Sequence, residues 1–334
     1  MTTREARQML AHGLEAEMSE LRRLRPSRRA AEIAFFSTLW IVGIALGLPG
    51  SWPLRIAGIA ASAAALNAFY LLSHEGHHNV LFAQPRLNYA VNLALCIPLL
   101  HSPSGYRVLH ELHHRYLGGP GDPDEYSNYT RDPRLQWALQ WVRLTMGTLV
   151  YMPLIPIVAW RRAERADRWL LAFESAVIAA VVVPVFVIIP IRVLLQVWLI
   201  PGVVVGYISA VRALAQHALT RADDPLLASR SVRSNRLVAF LLLNENYHLE
   251  HHLFPEVPSY NLPRLRALLH SRLPRAIEAP SYTSFLAEFV GRTLTRRFAA
   301  PSPASGRGIS HESPRPAKRG EGGRRPGEGR LATP

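Results

Sequence analysis

Four long apolar runs, separated by short polar or basic stretches, organise this chain. They cover about residues 31–49, 54–72, 169–190 and 193–214. Each run is close to the ~20 residues that a helix needs to cross the hydrocarbon core of a bilayer. Because only a few residues separate the first run from the second and the third from the fourth, the pattern predicts two membrane hairpins.

Arginines predict how these hairpins are oriented. Five of them crowd the chain just before the first run: Arg22, Arg23, Arg25, Arg28 and Arg29. Only Arg55 marks the connection between the first and second runs. Since cytoplasmic loops are enriched in Lys and Arg, we expect a cytoplasmic N-terminus, and both hairpins then return the chain to the cytoplasmic side.

The charge balance agrees with a membrane protein. Lys+Arg 38 exceeds Asp+Glu 24, which gives a formal net charge of +14 in a chain that is 49% apolar. A basic excess is typical of proteins that bind nucleic acid or an anionic membrane surface. Because the arginines flank the apolar runs, we predict a lipid bilayer as partner and no nucleic acid. The single cysteine, Cys96, excludes an internal disulfide framework and a cysteine-based metal site.

The two ends of the chain differ from the predicted membrane domain, residues 31–290. Residues 1–30 begin with a possible capping box, Thr2 with Glu5, and continue with apolar residues at helical spacing. Two interpretations remain open for this segment: an amphipathic helix on the cytoplasmic membrane surface or an ordinary solvated helix. Its mixed charge argues against a secretory signal. Residues 300–334 are rich in Pro, Gly, Ser and Arg and are predicted to be disordered.

Nine of the 14 histidines lie in three short windows. The windows read His74-Glu75-Gly76-His77-His78, His110-Glu111-Leu112-His113-His114 and His248-Leu249-Glu250-His251-His252. Residues three and four apart share one face of a helix, so each window can direct at least two imidazoles toward one point. Neutral imidazole is the commonest side-chain metal ligand. The windows therefore predict a metal site built from histidine.

The number of histidines indicates more than one ion. A tetrahedral zinc site takes four ligands, whereas nine or ten convergent histidines suit two ions of five- or six-coordinate habit. Iron is the redox metal that fits such all-nitrogen ligation. Its place beside membrane helices indicates oxygen chemistry on an aliphatic chain, with electrons supplied from elsewhere. His12, His270 and His311 stand alone and are predicted to be unrelated, and His101 is predicted to be structural.

Two further apolar segments are shorter or interrupted. Residues 89–100 are too short to span and indicate an interfacial or re-entrant segment. Residues 141–160 are apolar but carry Arg143, Pro153 and Pro156. A span there would put the third window on the opposite face of the membrane from the first two, so we expect no fifth span. The predicted fold is an all-α integral membrane protein with four transmembrane helices in two hairpins, interfacial helices and a cytoplasmic histidine-rich cap.

The three windows, in this order and placement, resemble the histidine boxes of the membrane fatty acid desaturase superfamily. The resemblance covers roughly residues 30–290 and includes Asp122-Pro123-Asp124 after the second box. It continues through Asn246-Tyr247 before the third box, Leu253-Phe254-Pro255 after it, and the stretch from Val257 to Pro263. The resemblance implies two iron ions. His217, between the second and third boxes, matches an additional ligand site of the family. The implied ligands are His74, His78, His110, His113, His114, His217, His248, His251 and His252.

Some positions around the boxes leave alternatives open. His77 could replace His78 as a ligand, donate to another group near the metal, or simply face the protein. Gln216 stands beside His217 where many relatives carry an acid. Acidic and amide side chains near the boxes are candidates for orienting the ring nitrogens. They are Glu75, Glu111, Asp122, Asp124, Asn246 and Glu250.

The resemblance implies an oxygen-dependent enzyme that removes two hydrogens from a fatty acyl chain of a membrane lipid or acyl carrier. The alternative for the same di-iron centre is hydroxylation or ketolation of a lipid or carotenoid. The third box with its Leu-Phe-Pro ending most resembles acyl-lipid desaturases and favours the first outcome. We expect an external electron donor of the ferredoxin or cytochrome type, because no heme-binding stretch is apparent at either end. Cytoplasmic arginines could dock an acidic donor.

Two other classes of protein fit the histidines less well. The first two windows satisfy the H-E-x-x-H pattern of zinc metalloproteases, but a third histidine box is more than such an enzyme uses. A membrane protein that transports or senses metal would carry polar ligands within its spans. Here the spans are nearly free of them, and the histidines lie at or beyond the predicted helix ends.

Overall fold

The protein is described by a computed structural model, which covers residues 1–48 and 51–294. The predicted disordered tail, residues 300–334, lies outside the described residues. Helices dominate, and this confirms the predicted all-α membrane fold; two strands of two residues each, β1 Ser231–Val232 and β2 Glu278–Ala279, pair in parallel. The α-helices are α1 Thr3–Ala11, α2 Glu15–Arg22, α3 Pro26–Gly47, α4 Trp52–His77, α5 Pro85–Cys96, α6 Pro103–Tyr116, α7 Pro133–Arg162, α8 Arg165–Ile188, α9 Ile191–Leu194, α10 Ile200–His217, α11 Arg236–Leu241, α12 His248–Leu253, α13 Leu262–Leu269 and α14 Tyr282–Phe289.

Within residues 1–48 and 51–294, four helical segments are long and apolar enough to cross a bilayer, as the sequence predicts. They are α3, α4, α8 and the segment Ile191–His217, in which a π-helical turn joins α9 to α10. The first pair packs as a tight hairpin. A Cβ atom on Gly58 of α4 would lie 2.6 Å from the carbonyl oxygen of Gly43 on α3, so this crossing requires glycine.

The shorter apolar segments differ from these spans in length or shape. α5 has 12 residues, too few to cross. By length and composition α7 could be a fifth span. However, it is bent by 102° between its arms Pro133–Gly147 and Leu149–Arg162. The histidine-bearing ends of α4 and α10 meet at one site, so the chain between them crosses the membrane an even number of times. With α8 and Ile191–His217 as two crossings, a fifth span at α7 would make the number odd, so this arrangement favours the expectation of no fifth span.

The N-terminal helices α1 and α2 cover the third histidine box. Arg272 helps to hold them, because its Nη1 atom donates to the carbonyl oxygens of Leu10 at 2.9 Å and His12 at 2.7 Å. The sequence left open whether residues 1–30 form an amphipathic helix on the membrane surface or a solvated helix. In the structure the apolar face of this segment packs against the protein. Its buried residues and their partners around the third box form one hydrophobic core: Ala6, Leu10, Met18, Leu21, Leu249, Leu253, Phe254, Val257, Leu262 and Leu265.

Candidate metal centre

Four helices present the histidines, and each does so at or near an end. The first box closes α4, the second lies in the last two turns of α6, His217 is the last residue of α10, and α12 consists of the third box itself. A buried carboxylate fixes the start of α6. Glu174 of α8 accepts hydrogen bonds from Ser102 Oγ at 2.5 Å, Ser104 N at 2.9 Å and Ser104 Oγ at 2.7 Å. Negative charge is stabilised at a helix N-terminus, so these bonds anchor the helix that carries the second box.

Five histidines from three helices form a first group. Within it the Nε2 atom of His110 lies 2.9 Å from that of His78 and 3.0 Å from that of His114. Each residue of the group offers one nitrogen, and these nitrogens all lie within 4.8 Å of one another. The members of the first group are His74, His78, His110, His114 and His251.

A second group lies directly beside the first. His113, His217 and His252 each offer one nitrogen within 4.8 Å of the others. His248 completes it, because its Nε2 atom lies 2.9 Å from that of His217 and 3.0 Å from that of His252. The rings of His114 and His252 stack with centroids 4.3 Å apart, so the two groups touch.

The spacing of these nitrogens fits ions with more than four ligands. Imidazole nitrogens bind metals at about 2.1 Å, so two of them at right angles on one ion lie about 3.0 Å apart, and at a tetrahedral angle about 3.4 Å. The four closest Nε2 pairs are separated by 2.9–3.0 Å. Groups of five and four imidazole nitrogens with some pairs at right-angle spacing are compatible with iron.

The structure separates the other histidines from these groups. The ring of His77 turns away, with Nδ1 3.2 Å from Asn92 Nδ2 and its centroid 4.8 Å from that of Tyr106. His101 is buried against the thiol of Cys96 at 3.5 Å. His12 and His270 are exposed, whereas His311 lies outside the described residues.

Asp122 orients one ring of the second group. Both of its carboxylate oxygens lie 3.0 Å from His113 Nδ1, which leaves Nε2 free to face the group. The backbone amides of Gly118, at 2.6 Å, and Asp124, at 2.9 Å, hold the carboxylate in place. The Asp124 carboxylate is 3.6 Å from the same ring nitrogen.

Glu245 is a site residue that the motifs do not identify. It is fully buried, and its two carboxylate oxygens lie 3.5 Å from His74 Nδ1 and 3.5 Å from His248 Nδ1. A signal for it exists in the sequence, an acid next to Asn246 and three residues before the third box. Its role depends on its contact with His74 of the first box, which is far away along the chain.

The remaining acidic and amide candidates contact other groups. Glu75 pairs with Arg29 and accepts from the backbone of Ser259, and Glu111 is exposed beside Arg107. Glu250 binds Ser231 and Arg266. Asn246 donates to the carbonyl oxygen of Val232 at 3.1 Å, and Gln216 donates to that of Glu245 at 2.6 Å. These contacts hold the backbone around the groups.

Burial favours the neutral form of most histidine rings that lie outside the membrane-spanning segments. Histidine has to be neutral to bind a metal. Burial lowers the pKa of His248 to about 4, although Glu245 opposes this, and holds the pKa of His251 well below its usual range. His113 differs. Burial lowers its pKa, but the hydrogen bond to Asp122 and the charges of Asp124 and Asp122 outweigh this, and the net shift is upward.

A cavity of about 370 Å³ reaches the second group, with His113 and His217 in its wall. Both arms of the bent helix α7 line it, with mostly apolar side chains. Polar groups of Asp124, Arg143 and Tyr151 lie in the same wall. The hydroxyls of Tyr70 and Tyr106, which also line it, lie 3.0 Å apart and can satisfy each other.

Comparison with known proteins agrees with this geometry. The family described as fatty acid desaturase matches residues 50–284. An sn-1 oleoyl-lipid 12-desaturase from Arthrospira platensis is 22% identical over 59% of this chain and 63% of its own length. A putative sphingolipid delta(4)-desaturase/C4-monooxygenase from Caenorhabditis elegans is 27% identical over 67% of this chain and 61% of its own length. The matched region spans about three fifths of each of these relatives. The chain belongs to the fatty acid desaturase family.

Proposed function

We propose that this protein is an oxygen-dependent, di-iron membrane desaturase that introduces a double bond into a fatty acyl chain of a membrane lipid or acyl carrier. Family membership supports the general conclusion that the chain is a membrane protein with a desaturase or oxygenase type of activity. The observation that supports acyl-chain desaturation in particular is the mostly apolar cavity whose wall includes His113 and His217. It offers an alkyl chain a place beside the candidate metal centre.

The two groups of histidines would hold two iron ions, five nitrogens on one side and four on the other. Bound iron supplies the redox chemistry that activates O2 and removes hydrogen from an unactivated methylene. The protein's part is to present neutral imidazoles, to exclude water and to hold one carbon–carbon bond of the substrate beside the centre. The nine histidines that the family resemblance implies as ligands lie in these two groups, and this supports the proposal.

The cavity supports an acyl substrate through its shape and its lining. α7 contributes Leu139 and Val142 from one arm and Val150 and Leu154 from the other. Because the arms meet at 102°, a chain that follows both of them has to bend. A bent, dry channel would fix which methylene lies nearest the histidines, and this is how the protein would set the position of the double bond.

Hydroxylation or ketolation on the same centre is the second candidate. The observation that favours it is the polar part of the cavity wall, where Asp124, Arg143 and Tyr151 could bind an oxygenated substrate or product. One of the relatives is itself named as a desaturase/C4-monooxygenase. Product analysis separates the outcomes, because desaturation removes two hydrogens and oxygenation adds an oxygen atom.

We also propose that the centre faces the cytoplasm, as the N-terminus does, and receives electrons from a separate ferredoxin or cytochrome. The arginines around the start of α3, and Arg161, Arg162, Arg165 and Arg168 where α7 ends and α8 begins, support this orientation. An acidic donor docked by such charges would show rates that fall as salt is raised. Activity that is independent of ionic strength would contradict this docking mode.

The test of the function is lipid profiling by mass spectrometry in cells that express the chain. We expect acyl chains that lack two hydrogens, and their loss with His251→Ala, which removes a nitrogen of the first group. His270→Ala is the matched control, because His270 is exposed and belongs to neither group, and should leave the products unchanged. Lipids or carotenoids that gain oxygen would establish the second candidate instead.

A further inference from the structure

One carboxylate lies between the two histidine groups. Glu245 has no exposed surface, and its oxygens point to His74 of the first group and His248 of the second, 3.5 Å from each Nδ1 atom. Among the described residues none of these four atoms makes a regular hydrogen bond, and the contacts at 3.5 Å join them to one another. Buried polar atoms are rarely left without partners, so this set of four atoms has to be satisfied internally.

We propose that Glu245 is a shared positioning residue that accepts a hydrogen bond from the Nδ1–H of both rings. With the proton held on Nδ1, each ring presents an unprotonated Nε2 to its own group. A carboxylate that orients a histidine ligand also raises its basicity. One side chain would thereby set ligand geometry in both halves of the centre. The inference rests on the proposed metal centre but not on the identity of the substrate or product.

The backbone places this carboxylate independently of the rings. Leu243 and Asn244 both have positive φ, 47° and 63°, a conformation that costs non-glycine residues energy. The turn they form is held by the bond from Glu245 N to the carbonyl oxygen of Leu242 at 2.8 Å and from Gln216 Nε2 to that of Glu245 at 2.6 Å. The fold therefore places the backbone of Glu245 at a point from which its carboxylate reaches both groups.

Replacement by glutamine separates positioning from packing. Glutamine has the same shape but only one acceptor, so it can accept from one of the two rings. Its amide NH2 faces the other ring, whose Nδ1 must then be the acceptor, and this moves that ring's proton to Nε2. The nitrogen that faces the group is blocked, and one of the two groups loses a ligand.

The experiment is anaerobic titration of the purified full-length chain with Co²⁺, followed by its visible absorption. We expect two ions per chain for the wild type. E245Q should weaken one binding phase about 10- to 100-fold and E245A should weaken both. Loss of a ligand nitrogen also lowers the coordination number of the bound Co²⁺, which intensifies its visible bands. A loss of packing alone would not produce this spectral change.

Two control variants fix the interpretation. Asp122 contacts a single histidine of the two groups, His113, so Asp122→Asn should weaken one phase. Glu111→Gln changes an exposed carboxylate within the second box and should weaken neither. Two wild-type phases in E245Q and E245A would overturn the inference, as would a wild type that binds no Co²⁺. A wild type that binds two ions in this Glu245-dependent way but forms no acyl product would overturn the proposed reaction and leave the inference intact.

Discussion

Arg29 offers the most direct test of how the centre is held in place. Its side chain is 1% exposed and pairs with Glu75, which is 3% exposed and precedes His78 by three residues on α4. Glu75 also accepts from the backbone N–H of Ser259 at 3.3 Å, in the loop after the third box. One ion pair therefore ties α3 to the first box and to the loop after the third.

Arg29→Met should destabilise the protein by about 3–5 kcal/mol, the typical cost of leaving one member of a buried ion pair without its partner. The penalty comes from the Glu75 carboxylate, which stays buried while Ser259 provides its remaining hydrogen bond. The double variant Arg29→Met with Glu75→Gln removes the stranded charge and should recover a large part of the loss. Thermal unfolding in detergent, with tryptophan fluorescence as the probe, measures all the variants.

The neighbouring arginine provides a matched control. Arg28 pairs with Glu32 at 3.2 Å, an acid that Arg29 contacts as a second partner at 2.6 Å. The Arg28 side chain is 47% exposed, and pairs at exposed sites contribute about 0–1 kcal/mol. Arg28→Met should therefore shift the unfolding midpoint only slightly. If both single variants cost the same small amount, or if the double variant is as unstable as Arg29→Met, the reasoning about the buried pair is wrong.

Three further predictions test the fold and the cavity. Gly58→Ala should destabilise the α3–α4 hairpin by about 1–3 kcal/mol, because the new Cβ lies 2.6 Å from backbone atoms of α3; Gly202→Ala, where a Cβ meets nothing within 4 Å, is the control in thermal unfolding. Glu174→Gln should cost about 2 kcal/mol or more through weakened bonds to the start of α6, and an unchanged midpoint would contradict that anchoring role. Gly147→Leu should cut conversion of long acyl chains ~10-fold or more, because it fills the cavity at the bend of α7 and overpacking costs about 1–3 kcal/mol. Gly147→Ala is the control, since its Cβ makes only ordinary contacts at 3.7 Å or more. Equal product profiles for both variants would exclude this cavity as the acyl site.

The sequence alone determines the membrane spans and the histidine-rich character of the centre. The length of an apolar run is fixed by the thickness of a bilayer, and helix formation satisfies its backbone hydrogen bonds without any distant partner. Imidazoles three and four residues apart share a helix face whatever surrounds them. These are local properties, and the four spans and the three histidine windows could therefore be predicted. His217 stands alone in the sequence and is identified through the family resemblance. The packing of the N-terminal helices could not, because amphipathic spacing identifies an apolar face but not its partner.

Only the tertiary structure decides how the histidines are divided. His113 and His114 are neighbours along the chain, yet a rotation of about 100° per helical residue directs them into different groups, and the same holds for His251 and His252. The placement of His78 in the first group, with His77 turned away, is decided in the same way by how α4 is rotated against α6. Glu245 acquires its two ring contacts only when the end of α4 meets the turn before α12. Such relations depend on the crossing of helices that are far apart in sequence, and no local pattern encodes them.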